Sequence, residues 1–326
     1  MYLVKKVCPA SLYNVYPCFS NIILFSGNII EVFFNVNTEG KRPPVSLPQG
    51  TLDDIEELGT PFEQVKVNNG FYVALDTNYR RIFVLFGRGL QLVYGDRIGD
   101  HITEATTYNM EEYAMVFPPQ IPRDSRHREY VAWLKDNPHL CWPPWARMGV
   151  YHWGMWMERG HPEKGCVITR DTNTIPAHVT PVLLTLFRAL GNLTRAQRLL
   201  FGAVDAACRS DYEAVIKNCP MEKKKIWVTD SDIECFALRA CLINVFTEPH
   251  YDGGDWENGW ASMAPFGEFK DGDFCITELQ RRFVYKPGDI SFLKARRFEH
   301  FTLGWKGHRF CLVATTHESL RNSFDV

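Results

Sequence analysis

The chain has 326 residues, 45% of them hydrophobic, enough to bury one large core or one core with a smaller companion. With Lys+Arg 36 against Asp+Glu 38 it carries no overall basic field, so a nucleic-acid partner would have to meet a local patch. Its ten cysteines include no C-x-x-C unit, which argues against zinc ribbons and a disulfide framework and for a reduced intracellular compartment, nucleus or cytoplasm.

The N-terminal stretch "NIILFSGNIIEVFFNV" is interrupted by Ser26, Gly27, Asn28 and Glu31, which is too polar for a membrane span, and it reads as strands. From residue 20 to 95 the runs "IIEVFFNV", "GFYVALDT", "RIFVLFG" and "LQLVYGD" predict further strands, with Asn68-Asn69-Gly70 as turn chemistry. Two prolyl stretches, "FPPQIPRDSRH" and "CWPPWARM", flank a predicted helix at about 125 to 136. They place a boundary near residue 120 between a β-rich region, 1–120, and the remainder, 121–326.

Helical signals follow over about 180–218. Thr180-Pro181 opens "PVLLTLFRAL", Gly191 closes it, "LTRAQRLLFGAVDAAC" continues as a second helix, and Ser210 offers an N-cap for "DYEAVIKN". Beyond Trp227 the runs "CFALRACLINVF", "DFCITEL", "RRFVYK", "DISFLKA" and "RFCLVATT" predict strands. Helices followed by strands give an α+β fold with a closed or sandwiched C-terminal sheet.

Within "EPHYDGGDW", His250 and Asp252 stand two residues apart. Ten histidines should produce about one His-x-Asp/Glu pair by chance, and His127-Arg128-Glu129 is another. That second pair falls in a helical stretch, where residues two apart diverge. His250 and Asp252 follow the extended "ACLINVFTEP", and on a strand such residues share a face and can converge on one ion. Two histidines and a carboxylate on one face of an octahedral ion leave positions open for a co-substrate and oxygen. His300, in "FEHFTL" after a predicted strand, is the candidate third ligand; the alternative is a half-buried strand histidine.

The segment "VYKPGDISFLKARRFEHFTLGWKGHRFCLVATTH" resembles the C-terminal half of the double-stranded β-helix, or jelly roll, of Fe(II)- and 2-oxoglutarate-dependent dioxygenases, over roughly residues 233 to 320. The resemblance implies a Pro287-Gly288-Asp289 turn before the strand that leads to His300, and Arg309 as the clamp for the far carboxylate of 2-oxoglutarate. A planar guanidinium suits that task because it binds a carboxylate bidentately and stays charged. Within the superfamily the chain is most similar to the TET/JBP-like branch, which oxidises methylated nucleobases. Asp255 matches an acidic residue that helps to bind the base, His317 a histidine near co-substrate and base, and Gly304-Trp305 a Gly-Trp before the arginine. The resemblance implies Fe(II) on His250, Asp252 and His300, 2-oxoglutarate and O2 as co-substrates, and hydroxylation of a methyl group. Some members of the branch carry an arginine where this chain has Val245, and Arg239 is the nearest upstream substitute.

The substrate stays open between a methylated base in DNA or RNA, a small metabolite and a protein side chain, and a non-catalytic cupin-like binding barrel is the alternative from another class. The oligomeric state is equally open. Gly253 and Gly254 allow a sharp turn beside the ligands, and Trp256 and Trp260 are candidates to close over a substrate. The aromatic run at 141–165 reads as core or a loop packed over the barrel, with a substrate pocket as the alternative; His152 and His161 read as structural. Glu222 to Lys225 read as solvated surface, and Glu278 has no assigned role. Lys294, Arg296, Arg297 and Lys306 either steer an anionic substrate or protect edge strands.

Overall fold

A computed structural model of the protein describes residues 4–6, 28–36, 52–120, 148–158, 161–220 and 234–324. The helix expected at 125–136 with His127, the second prolyl stretch through residue 147, and Glu222 to Lys225 lie outside the described residues.

The runs rich in Val, Ile and Phe form strands because branched and aromatic side chains fit a pleated, packed surface. In chain order they are β1 Val4–Lys6, β2 Asn28–Phe33, β3 Glu63–Val65, β4 Gly70–Leu75, β5 Arg81–Gly87, β6 Gly149–Met157, β7 Cys166–Ile168 and β8 Leu238–Ile243. Then come β9 Ala261–Phe266, β10 Phe269–Asp271, β11 Phe274–Ile276, β12 Arg281–Phe283, β13 Ile290–Leu293, β14 His300–Thr302, β15 Trp305–Gly307 and β16 Phe310–Thr315. A mixed 10-stranded sheet runs β1-β2-β4-β5-β13-β9-β16-β8-β6-β7, and a 4-stranded sheet runs β14-β11-β12-β3.

The helices are α1 Leu52–Gly59, α2 Gly89–Tyr94, α3 Asp96–Val116, α4 Arg170–Asn173, α5 Thr180–Val204, α6 Ala206–Asn218 and α7 Glu318–Asn322. The large sheet is packed on both faces. Val73, Val84, Phe86, Trp153, Phe292 and Phe310 pack on α3, α5 and α6. Alternate residues such as Tyr72, Phe83, Leu85 and Met263 pack with Phe274, Ile276 and Phe283 of the small sheet. Helices, large sheet and small sheet thus form three layers, an α+β architecture compatible with a jelly-roll core. No helix among the described residues is long and apolar enough to cross a membrane.

Four elements differ from the sequence expectations. "LQLVYGD" is helix α2 rather than a strand. After β5 the chain turns through Arg88 at φ 55°, its N–H bonded to Asp289 at 2.7 Å, and Gly89 lies so close to Ile290 that a Cβ would stand 2.9 Å from it. That docking directs the chain into a helix, where five residues of ambiguous period could not. Gly191 does not end its helix: α5 runs through it, burying Leu183, Leu186, Phe187, Leu190, Leu193 and Leu200 along one face. Burial of that stripe outweighs the ~1 kcal/mol that a mid-helix glycine costs. Ser210 lies inside α6, whose N-cap is Asp205, accepting from Cys208 N at 3.0 Å. Helix α3, missed in the polar stretch 96–116, buries Ile102, Thr106, Met110 and Tyr113 at helical spacing against its neighbours.

Candidate metal centre and cavity

Past β8 the chain turns at Asn244, in the left-handed region at φ 49°, where its side-chain oxygen accepts Arg309 N–H at 2.9 Å. The turn carries extended residues 248–252 across to β14, and His250 and His300 exchange both main-chain hydrogen bonds at 3.1 and 3.0 Å. Asp252 Oδ1 lies 3.6 Å from His250 Nε2, and Oδ2 lies 3.7 Å from His300 Nε2. The three ligand atoms sit within 4.8 Å of one another. Bonds of about 2.0–2.2 Å set the ligand atoms on one face of an octahedral ion roughly 3.0 Å apart, so side-chain rotations close the set.

The histidine rings are already presented for ligation. His250 Nδ1 meets the Glu248 carbonyl at 2.7 Å and His300 Nδ1 the Phe298 carbonyl at 3.0 Å. A carbonyl only accepts, so each Nδ1 carries the proton and each Nε2 lone pair faces the shared space. Both side chains are buried, while Asp252 keeps 21% exposure, consistent with a site open on one side. Two imidazoles and one carboxylate on one face is the donor set of non-haem Fe(II) sites.

The triad opens on a cavity of about 610 Å³ between the two sheets. Arg309 lines it, 5% exposed, with the guanidinium 5.3 Å from the Trp305 ring centroid and 5.6 Å from that of Phe269. Among the described residues no carboxylate pairs with Arg309, and its Nε has no hydrogen-bond partner. A buried cation in that state calls for an anionic ligand, so the donor chemistry fits a bound dicarboxylate such as 2-oxoglutarate. Asp255 and His317, also on the cavity wall, pair as a β-bridge, with Oδ1 and Nε2 4.0 Å apart. Burial lowers the His317 pKa below the ordinary histidine value, partly offset by Asp252.

The structure thus brings His250, Asp252, His300, Arg309, Asp255 and His317 to one cavity. Trp256, expected at the substrate, does not line the cavity: its ring lies tilted against Tyr212 with centroids 5.4 Å apart, and the Arg321 guanidinium stands 4.1 Å over it. Trp260 is core, with its indole N–H on Asp205 at 3.0 Å. Arg239 faces away as well, because β8 alternates Leu238, Ala240 and Leu242 into the cavity and leaves Arg239 bonded to both Glu234 oxygens at 3.0 Å. Three of the basic residues near the mouth are engaged by the protein itself. Lys294 bonds the Asn258 carbonyl, Arg296 the Asp255 carbonyl and Glu318, and Arg297 Glu257.

His152, read as structural, and Trp156, in the aromatic run read as core with a substrate pocket as the alternative, both line the cavity, as does Asp171, which sequence reasoning passed over. Their signal lay in the alternation of β6: Tyr151, Trp153 and Met155 enter the helix-side core, while Val150, His152 and Trp156 face the cavity. His152 N–H donates to Asp171 at 2.7 Å, and burial raises the Asp171 carboxyl above its usual range. His161 pairs with Glu163 at 2.9 Å on the surface, away from the cavity.

No protein-family model matches the chain, and no curated protein matches its sequence. Among solved structures, NgTET1 in complex with 5mC DNA aligns over 83% of this chain and 89% of its own, with a TM-score of 0.51 and 13% identity. An oxidoreductase of the 2OG-Fe(II) oxygenase family from Burkholderia pseudomallei covers 83% and 92% at TM-score 0.33 and 13% identity, and OsALKBH1 72% and 96% at 0.33 and 10%. The architecture of helices, large sheet and small sheet around this cavity is therefore the fold of NgTET1.

Proposed function

We propose that the protein is an Fe(II)- and 2-oxoglutarate-dependent dioxygenase that hydroxylates a methyl group, with a methylated nucleobase such as 5-methylcytosine in DNA or RNA as substrate. The observation that carries the reading is the joint occurrence, in one cavity, of the His250, Asp252, His300 set and a buried Arg309 without a carboxylate partner among the described residues. On this reading the facing sheets are the two halves of a double-stranded β-helix, and the boundary near residue 120 separates regions that share the large sheet.

Fe(II) with 2-oxoglutarate and O2 supplies the oxidising power for C–H hydroxylation. The chain supplies the rest. His250 and His300 offer Nε2 to the metal because the Glu248 and Phe298 carbonyls hold the Nδ1 protons. Arg309 neutralises the distal carboxylate of the co-substrate between two aromatic faces that exclude water. Asp255 and His317 lie where they can meet the polar edge of a planar substrate, and Trp156, its ring centroid 6.5 Å from that of His317, offers a stacking face. The fold of a neighbour captured with 5mC DNA supports the nucleobase choice.

The deciding experiment measures succinate formed from 2-oxoglutarate with Fe(II) present, with and without duplex DNA containing 5-methylcytosine. Turnover that depends on the methylated DNA and disappears in His250→Ala and Asp252→Ala is the expected result. Turnover that no nucleic acid or free base stimulates removes the nucleobase assignment. No metal binding by the folded protein removes the oxygenase itself.

A further inference from the structure

Glu278 does not line the cavity; it stands behind the ligand triad. It belongs to the 3-10 turn Thr277–Leu279 that follows β11, the strand whose Ile276 pairs with His300. Its Oε1 accepts the Tyr251 hydroxyl at 2.9 Å, and both of its oxygens accept Glu299 N–H at 3.0 Å. Tyr251 stands between His250 and Asp252, and Glu299 immediately precedes His300. One carboxylate therefore grips the chain at both places from which ligands depart. The reason is alternation along extended backbone: His250 and Asp252 point into the cavity, so Tyr251 points out of it, toward Glu278.

The main-chain bonds between His250 and His300, with that from Asp252 N to the Ala295 carbonyl at 3.0 Å, set the spacing of the two segments. They do not fix the roll of residues 250–252 about their own axis, and that roll aims the imidazole and the carboxylate. A side-chain tether on the opposite face does. We infer that Glu278 is a positioning residue of the metal centre, locking the roll of the His250–Asp252 segment against the His300 strand and so setting metal affinity. The inference rests on the metal-centre reading above.

The test uses the metal-free full chain, Co(II) titration followed by visible absorption, and thermal unfolding without metal. Glu278→Ala should weaken Co(II) binding at least about tenfold, the usual range for outer-shell partners, and alter the Co(II) spectrum. Glu278→Gln should restore near wild-type affinity, since its amide carbonyl accepts from Glu299 N–H and its NH2 donates to the Tyr251 oxygen. Tyr251→Phe, which cuts one tie and keeps the ring, should fall between them. A purely structural Glu278 would lower the unfolding temperature and leave Co(II) affinity at the wild-type value, and that result overturns the inference. If Glu278→Ala does not fold, Tyr251→Phe decides on the same criterion. Wild-type protein that binds no Co(II) overturns the metal centre and the positioning role together, whereas Co(II) binding lost in His250→Ala but intact in Glu278→Ala overturns the positioning role alone.

Discussion

Replacing Arg309 with Leu should move affinity and stability in opposite directions. The guanidinium is buried, touches the Trp305 and Phe269 faces and has no carboxylate partner among the described residues. Loss of a buried, hydrogen-bonded charge pair with the co-substrate costs about 2–5 kcal/mol. The Kd for 2-oxoglutarate should therefore rise by about 30-fold to several thousand-fold. In the ligand-free protein the same change removes two cation–π contacts, about 2 kcal/mol each for a desolvated pair. It also removes a desolvation penalty of several kcal/mol for an uncompensated ion, so Arg309→Leu should unfold at the same temperature as wild type or higher. Thermal unfolding with and without millimolar 2-oxoglutarate reads both quantities at once: wild type should be stabilised by the ligand and the variant should not. A variant that is strongly destabilised without ligand, yet still stabilised by 2-oxoglutarate, would refute the assignment of Arg309 as its clamp.

Three further outcomes follow from groups placed differently in the fold. Burial pushes the Asp289 carboxyl up to about 7 although it accepts Arg88 and Lys286 N–H groups. A carboxyl whose folded pKa lies above its unfolded value binds more protons when folded, so its contribution to stability is full below about pH 4 and is lost as pH rises through about 7. Urea unfolding should show stability falling between about pH 4 and 7, with a flatter profile in Asp289→Asn; an unchanged slope contradicts the account. Trp156→Ala should raise the KM for the methylated substrate at unchanged 2-oxoglutarate affinity, because that ring faces the cavity. Trp256→Ala should instead destabilise by about 1–3 kcal/mol, below the ~3–5 of a fully buried tryptophan, and leave that KM alone, since its ring is occupied by Tyr212 and Arg321. Steady-state kinetics beside denaturant titration separates the two.

The grouping of His250, Asp252 and His300 was legible in the sequence because its signal is local: a His-x-Asp pair on extended chain, with a histidine and an arginine at set distances beyond. Asp255 and His317 were found through resemblance and do face the cavity. Trp256 was misplaced because spacing along a loop says nothing about which side of the chain a ring takes. It lies next to Asp255, yet the bond from its N–H to the Thr316 carbonyl turns that segment toward α6 and α7. The cavity wall on β6 was obscured by composition, since a run as aromatic as "VYHWGMW" reads as core on both faces until pairing with β8 assigns its sides. Helix α3 was invisible for the opposite reason: its apolar positions are sparse, and its stability comes from packing against α2 and α5.

The pairing of β13 has a bearing on how the protein is handled. This strand, which leads to His300, bonds β9 on one side and on the other β5, from the first hundred residues, with Ile290 opposite Phe86 and Leu293 opposite Phe83. Similarly β12 is flanked by β3, and Gly304 N–H donates to Glu56 of α1. A fragment trimmed to the C-terminal part would keep His250, Asp252, His300 and Arg309. It would also bare the apolar row Ile290, Phe292 and Leu293 along an open, hydrogen-bonding flank, the kind of edge through which chains aggregate. Dissecting this protein for biochemistry therefore means keeping its first hundred residues, since they form the wall against which the site is built.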